Sequence, residues 1–230
     1  MMFSYWDRAD VDPINEFILD WRAHFPHFRV LGDAEVEPMI AQHFPEYQDM
    51  FGRIQIPTCK SDLALLLALY MFGGLYVDCH CGITDPEKIK NFLERLDEYE
   101  LILYDRDNSS RPDLHGRLYP LNSVLFARPN SKIILDCATR AFRNCGAEWE
   151  AEKKNGFIEY NIWFMSGPGI LHDRLLSPSR AELQEDCAGK VLFIPEGDSG
   201  APIRRYMHNS YRVPGMHWSE RQLREPLFRL

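Results

Sequence analysis

The sequence predicts an α/β fold in which one central sheet is flanked by helices. A long apolar helix and a glycine pair directly precede a short buried strand near residue 75. Strand-like and helical segments alternate over the first 31 residues, as expected of a β-α-β unit. Apolar residues make up 45% of the 230 residues, which is enough for one substantial core. We therefore expect a single domain over 1–230, with 203–230 as a C-terminal tail or lid.

The first predicted unit begins almost at the first residue. Residues 3–6 form a short aromatic strand, and the Asp-Pro pair at 12–13 is typical of a helix start. Apolar residues then recur at helical spacing until a second strand at 28–31. This order places Trp6 at the end of the first strand. It can face a ligand there or simply cover the core.

The central helix is the most informative segment of the chain. Ser61 can act as its N-cap, and Asp62 in the first turn complements the helix dipole. Residues 63–72 are apolar on every side, which predicts a helix that is buried all round. The glycine pair at 73–74 supplies the backbone freedom that a helix end needs.

A short buried strand at 75–77 follows this helix and delivers Asp78 and His80 at its carboxyl end. In open α/β sheets, ligands bind at that edge. Residues i and i+2 of a strand point the same way, so the carboxylate and the imidazole can address one ion. Such a pair suits Mn²⁺. The alternative is a polar pair that ends the strand and holds no metal.

Two further Asp-x-Asp strings compete for this role. The string at 10–12 lies in the turn before the first helix and has no buried strand before it. The string at 105–107 does follow a predicted strand, at 100–104, but it lacks the preceding helix and glycine pair. We interpret it as the start of a polar surface loop at 106–116, with a role on the acceptor side left open.

The rest of the chain continues the alternation of helices and strands. Further strands are predicted at 123–126 and 191–195. Helices are predicted at 35–43, within 44–56, and at 85–96, 132–145, 159–165 and 170–176.

Charge and cysteine content narrow the class of protein. Lys and Arg number 26 against 34 Asp and Glu, and the net charge of −8 argues against nucleic acid as the main partner. The six cysteines lack the spacing of a disulfide framework, so we expect a reducing, cytoplasmic compartment. No signal peptide is visible, and no apolar run reaches the ~20 residues of a membrane span. Contact with a membrane would be peripheral.

Residues 61–80 resemble the DXD sugar-binding region of GT-A glycosyltransferases. The likeness is to the group containing the yeast initiation-specific mannosyltransferase, capsular polysaccharide transferases and clostridial glucosylating toxins. The shared pattern is a helix, Gly-Gly, a hydrophobic residue, and Tyr-x-Asp-x-Asp. The chain departs from it at Leu65, where the family has arginine, and at His80, where the family has a second aspartate.

The resemblance implies a function in polysaccharide or glycoconjugate biosynthesis. It implies a single-domain GT-A-like fold with a mixed central sheet flanked by helices. It also implies a nucleotide-diphosphate sugar as donor, with Mn²⁺ or Mg²⁺ assisting. The sugar would pass, with retention of the anomeric configuration, to a glycan, a lipid-linked glycan or a protein side chain. Asp78 and His80 would hold the metal and the diphosphate.

Four other residues receive donor-binding roles from the same likeness. Trp6 would stack on the base, with Asp7 beside it. Asp62 would bind ribose or sugar hydroxyls, although charge compensation at a helix N-terminus explains it equally well. Asn122 would face the donor sugar.

The tail supplies the remaining candidates. His217 and Trp218 resemble a late family segment that folds over the donor, so His217 is the predicted third metal ligand and His208 its alternative. Trp218 would belong to a lid that excludes water. Lys60 is a candidate for neutralising the diphosphate, and solvated surface is the alternative. Three tail arginines share both interpretations: Arg204, Arg205 and Arg212.

Two other functions stay open. A non-catalytic descendant that binds a nucleotide sugar or a protein partner would explain the departures at Leu65 and His80. A metal-dependent hydrolase of sugar nucleotides is a weaker alternative.

Overall fold

The computed structural model describes residues 1–107, 115–196 and 201–229. The main sheet contains six strands: β1 Met2–Tyr5, β2 Arg29–Leu31, β3 Gly74–Val77, β5 Leu101–Asp105, β6 Pro120–Ala127 and β7 Val191–Pro195. A second sheet contains two: β4 Gly82–Ile83 and β8 Ile203–Arg204. The helices are α1 Asn15–His24, α2 Asp33–His43, α3 Gln48–Arg53, α4 Pro57–Phe72, α5 Pro86–Glu94, α6 Lys132–Asn155, α7 Ile162–Met165, α8 Pro168–Leu175 and α9 Trp218–Arg221.

The main sheet is mixed, with strand order β2-β1-β3-β6-β5-β7. β2, β1 and β3 are parallel, β6 runs antiparallel between β3 and β5, and β5 is parallel to β7. The carboxyl ends of β1 and β3 therefore meet the beginning of β6 at one edge. The prediction of a mixed central sheet flanked by helices is confirmed.

Helices cover both faces of the sheet because its central strands are apolar on both sides. In β3, Tyr76 packs into the core beneath α4 and α6, whereas Leu75 and Val77 pack into the core beneath α1 and α5. This alternation is the ordinary geometry of a strand. It leaves the edge of the sheet, rather than either face, open for a ligand.

The central helix begins earlier than the sequence predicted. α4 starts at Pro57, whose fixed φ suits a first helical position, and Ser61 lies one turn inside it. The prediction that Ser61 is the N-cap is therefore wrong. The Ser61 hydroxyl instead lies 2.9 Å from the Tyr76 hydroxyl. The predicted burial on all sides holds for residues 62–69, while Phe72 at the end is 42% exposed.

The helix ends where the glycine pair predicted it would. Gly73 and Gly74 have φ values of 60° and 97°, in the region that favours glycine. A Cβ on Gly74 would lie 1.8 Å from the backbone oxygen of Met1. That oxygen accepts a hydrogen bond from Leu75 at 2.8 Å, so the glycine allows the start of the chain to pair with β3.

Two other helices differ from their predicted lengths. α6 continues to Asn155, ten residues beyond the predicted end, because Trp149 and Glu152 contact the end of the chain at Phe228. α7 has only four residues and starts at Ile162 rather than at 159. Most of the predicted polar loop at 106–116 lies outside the described residues.

All six cysteines are buried and unpaired. None of the helices in the described ranges combines the length and apolarity needed to cross a bilayer.

His172 in α8 predicts a pH dependence of stability. Its side chain is 2% exposed, and its ring lies 4.5 Å from that of Tyr119 and 4.9 Å from that of Trp163. Burial lowers the pKa of His172 to about 4. The unfolded chain binds a proton below its ordinary pKa of about 6.5 while the folded chain does not, so stability falls from pH 6.5 to 4, by up to ~3 kcal/mol.

Urea unfolding at pH 7 and pH 4.5 measures this loss. His172→Leu should lose less stability between these pH values than the wild type, because other groups titrate equally in both proteins. Equal losses would contradict the prediction.

Candidate functional site

A cavity of about 820 Å³ opens at the sheet edge where β1 and β3 end and β6 begins. The start of α4, residues 162–168 and the tail at 211–221 complete its walls. Eight of the nine predicted site residues line it: Trp6, Asp7, Asp62, Asp78, His80, Asn122, His217 and Trp218. The topology thus assembles residues that are up to 212 positions apart in the sequence.

Asp78 stands directly after β3 and is held in place by its neighbours. Its backbone N–H donates to the backbone carbonyl oxygen of Ser123 at 2.9 Å, and the Tyr76 hydroxyl donates to its Oδ1 at 2.7 Å. The chain then turns, with a 2.9 Å hydrogen bond from Cys81 N to Asp78 O. The strand therefore stops before His80, which corrects the expectation that strand alternation aligns the pair. The turn nevertheless brings His80 Nδ1 to 3.7 Å from Asp78 Oδ2.

The His80 ring is buried and neutral at ordinary pH. It is 7% exposed and lies parallel to the Tyr206 ring at 4.7 Å. Burial lowers the pKa of His80, against the opposing effect of Asp78. Within the described ranges, its Nε2 atom has no hydrogen-bond partner. A neutral imidazole is the form that binds metal ions.

The Asp78–His80 pair fits a divalent cation. His80 Nδ1 and Asp78 Oδ2 are 3.7 Å apart, so both side chains would be available to hold one ion. A carboxylate with an imidazole suits Mn²⁺. Mg²⁺ and its analogues are commonly held by one or two protein groups, with substrate phosphates as further ligands.

The structure does not assemble the predicted third ligand. His217 lines the cavity, but its Nδ1 lies 2.7 Å from the Ser219 hydroxyl at the start of α9. His208, the alternative, lies outside the cavity lining with Nε2 3.0 Å from Asp20 Oδ2. No three His, Cys, Asp or Glu side chains in the described residues form a metal-binding group. The assignment of His217, or alternatively His208, as a third ligand therefore stays a prediction.

Asp62 is engaged by other protein groups. Its side chain is 3% exposed, and burial raises its pKa, partly opposed by a hydrogen bond from Ser166. Asn122 Nδ2 donates to Oδ1 at 2.8 Å, and the Ser166 hydroxyl donates to Oδ2 at 2.9 Å. No role was predicted for Ser166. It lies 104 positions after Asp62 in the sequence, and only the fold brings the two side chains together.

Trp6 forms one end of the cavity with its ring half-buried. Its Nε1 donates to the backbone carbonyl oxygen of Asp10 at 2.8 Å, and its ring meets the Tyr211 ring edge-on with the centroids 5.5 Å apart. Asp7 lies beside it, and burial raises the pKa of this carboxyl. The indole ring of Trp6 is a planar apolar surface on the cavity wall, and such a surface is suited to a planar group.

Lys60 is the predicted residue that the cavity does not include. Its side chain is buried, and Nζ lies 2.6 Å from Asp33 Oδ2. Asp33 also accepts a hydrogen bond from the Tyr5 hydroxyl. Lys60 therefore neutralises a partly buried carboxylate of the protein, which corrects its expected role beside a diphosphate.

Arginines supply the positive charge of the cavity instead. Arg212 lines it as predicted, whereas Arg204 does not, and Arg205 is paired with Glu196. Arg8 and Arg221 also line the cavity, and Arg221 lies 2.9 Å from Glu225. The sequence carried no signal for these two, because neither arginine belongs to a recognisable motif.

Three solved structures resemble the chain. "PaToxG Glycosyltransferase" matches with a TM-score of 0.44 and 13% identity, over 75% of this chain and 66% of that one. The ligand-free glycosyltransferase domain from the YGT toxin matches with 0.40 and 11%, over 70% of this chain and 52% of that one. Its UDP-bound form matches with 0.44 and 11%, over 80% and 55%. No protein family and no curated protein matches the sequence. The aligned part covers roughly half to two thirds of each of the three structures.

The competing aspartate string lies at the same edge of the sheet but outside the cavity. Asp105 ends β5, and its Oδ1 accepts a hydrogen bond from Tyr119 N at 2.6 Å. It does not line the cavity. The Asp105 carboxylate thus binds the backbone just before β6.

The tail that roofs the cavity is anchored beyond it. Glu152 in α6 is completely buried, and its two carboxylate oxygens accept from Leu227 N at 2.7 Å and Phe228 N at 3.1 Å. Two backbone donors compensate the buried charge. Residues 211–221 are therefore held between β8 and this anchor.

Proposed function

We propose that the protein is a GT-A-type glycosyltransferase that uses a nucleoside-diphosphate sugar. One observation carries this proposal: a single cavity holds an aromatic wall, an Asp–His pair and an asparagine on three adjacent strand ends. Trp6 follows β1, Asp78 follows β3, and Asn122 lies at the start of β6. Neighbouring strands are about 4.8 Å apart, so these groups are spaced like base, diphosphate and sugar.

Each of these groups would contact a different part of the donor. The ring of Trp6 would stack on the base, with Asp7 beside it. Asp78 and His80 would hold Mn²⁺ or Mg²⁺ at the diphosphate, while Tyr76 orients the Asp78 carboxylate. A bound divalent ion stabilises the negative charge that develops on a leaving diphosphate. Arg212 would add positive charge from the tail.

The roof of the cavity would keep water from the donor. Trp218 lies there at the start of α9, and the anchor at Glu152 holds the segment beyond it. Exclusion of water favours transfer over hydrolysis. The acceptor would be a hydroxyl of a glycan, a lipid-linked glycan or a protein side chain. Retention of configuration stays a prediction, which NMR of the product's anomeric signal would check.

Calorimetric titration with UDP- and GDP-sugars, with and without Mn²⁺, tests the proposal. We expect one of these donors to bind more tightly with metal. Trp6→Ala should weaken its binding by at least ~10-fold, because stacking a base on an aromatic ring contributes about 1–3 kcal/mol. Trp6→Phe keeps an aromatic face and is the matched control. Failure of the wild type to bind any nucleotide sugar would overturn the proposal.

A non-catalytic nucleotide-sugar-binding protein is the second candidate, and one observation favours it. Leu65 is 1% exposed in the core, so the family's arginine has no counterpart in the cavity at this position. Metal-enhanced binding without transfer to a broad acceptor panel would support this candidate. Release of free sugar near the turnover rate would instead support a hydrolase.

A further inference from the structure

We propose that Ser166 is a positioning residue that acts through Asp62 to fix the side-chain amide of Asn122. The inference rests on the proposed function, because the fixed amide would present its carbonyl oxygen to a hydroxyl or N–H group of the donor sugar. Ser166 itself lies outside the cavity lining, whereas Asp62 and Asn122 belong to it. The effect of Ser166 on the donor is therefore indirect.

The contacts form a short chain of hydrogen bonds across three separate elements. Ser166, just before α8, donates to Asp62 Oδ2 at 2.9 Å. Asn122 in β6 donates to Oδ1 of the same carboxylate at 2.8 Å. Ser166 and Asp62, which lies in α4, are 2% and 3% exposed. A buried carboxylate needs such donors, since an unmet acceptor in this environment is costly.

The contact with Asp62 determines which way the amide points. Asn122 turns its NH₂ group towards Asp62, because its Nδ2 atom donates to Oδ1 of that side chain. Its Oδ1 atom is left as an acceptor, and no described residue donates to it. Sugar hydroxyls and acetamido N–H groups are donors that can meet such an oxygen. The arrangement therefore predicts recognition of one donor group on the transferred sugar.

Ser166 supports this orientation by occupying the second oxygen of Asp62. In Ser166→Ala the Oδ2 atom loses its donor, and the carboxylate can rotate or recruit water. Asn122 would then lose its fixed partner and sample both amide orientations. Only the part of the donor that contacts Asn122 should be affected.

The experiment compares the binding of a nucleoside diphosphate with that of its sugar conjugate. Ser166→Ala should weaken the binding of the sugar conjugate roughly five- to tenfold, the effect of one hydrogen bond. It should change the binding of the nucleoside diphosphate less than about twofold. Ser166→Thr keeps the hydroxyl and should restore selectivity for the conjugate. Ser123→Ala is the matched control, because Ser123 is 4% exposed in β6 and its hydroxyl has no partner among the described residues.

A second measurement needs no ligand and keeps the inference testable by itself. The side-chain amide protons of Asn122, assigned by their loss in Asn122→Asp, should exchange slowly in the wild type and in Ser123→Ala. They should exchange faster in Ser166→Ala. If the amide protons of Asn122 exchange equally fast in Ser166→Ala and the wild type, or if Ser166→Ala weakens the binding of both ligands equally, the role of Ser166 is overturned. The proposed function is left intact in either case. If exchange is slow in the wild type and faster in Ser166→Ala, but the wild type binds no nucleotide sugar, the role of Ser166 stands and the proposed function is overturned.

Discussion

Replacing Asp78 with asparagine is expected to lower kcat/KM for sugar transfer by about 10²–10³-fold, the usual effect of removing one group that stabilises transition-state charge. The substitution keeps the shape of the side chain and removes its charge. The hydrogen bond from Tyr76 to Oδ1 can be kept, so the fold should tolerate the change. Steady-state kinetics at saturating Mn²⁺ measure the loss, and Mn²⁺ titration followed by electron paramagnetic resonance measures the metal affinity.

Asp105→Asn is the control for this substitution. Asp105 also follows a strand at the same sheet edge, but it contacts Tyr119 N and lies outside the cavity lining. Its replacement should leave Mn²⁺ affinity unchanged. If Asp78→Asn retained full metal-dependent activity, or if Asp105→Asn abolished it while remaining folded, the metal site would not be at Asp78 and His80.

Gly74→Ala is expected to cause the largest loss of stability, more than ~3 kcal/mol. Its φ of 97° disfavours any side chain, which costs about 1–3 kcal/mol. The new Cβ would also overlap the Met1 oxygen at 1.8 Å, a backbone atom, and such overpacking adds about 1–3 kcal/mol. For a chain of this size the melting temperature should fall by roughly 10 °C.

Gly52→Ala provides a matched comparison by thermal and urea unfolding. Gly52 lies in α3, and no described atom lies within 4 Å of the position that a Cβ would take there, so alanine should be neutral or stabilising by about 0.5–1 kcal/mol. Similar stability of the two variants would show that the turn after α4 relaxes easily. We would then expect β1 to move away from β3, because Met1 pairs with Leu75 at the start of these strands.

Local sequence patterns predicted most of the elements but misjudged several of their ends. α5 and α6 begin close to their predicted starts. The side chains of Asp85 and Ser131, just before these helices, accept hydrogen bonds from their first turns. The start of α4 differs from its predicted position, because Pro57 outweighed the serine at position 61. The length of α6 depended on Trp149 and Glu152 meeting the C-terminal segment, a contact that no local pattern contains.

The candidate site divides in the same way. Asp78 and His80 were identifiable because a helix, two glycines and a strand precede them, and these features are local. Their mutual geometry was predicted for the wrong reason, since a turn rather than a strand brings His80 beside Asp78. Lys60 could not be excluded in advance, because its partner Asp33 lies 27 positions away. The functional roles stay predictions for all of these residues: Trp6, Asp7, Asp62, Asp78, His80, Asn122 and Trp218.

The sequence by itself determined the α/β architecture, the buried helix, the glycine turn and the position of Asp78 at a strand end. These follow from hydrophobic periodicity and backbone preference, which act over a few residues. Only the tertiary structure decided which side chains share the cavity, that Lys60 is neutralised by Asp33, and that Ser166 reaches Asp62. Such pairings join distant segments, and their identity depends on the order of strands and the packing of helices across the sheet.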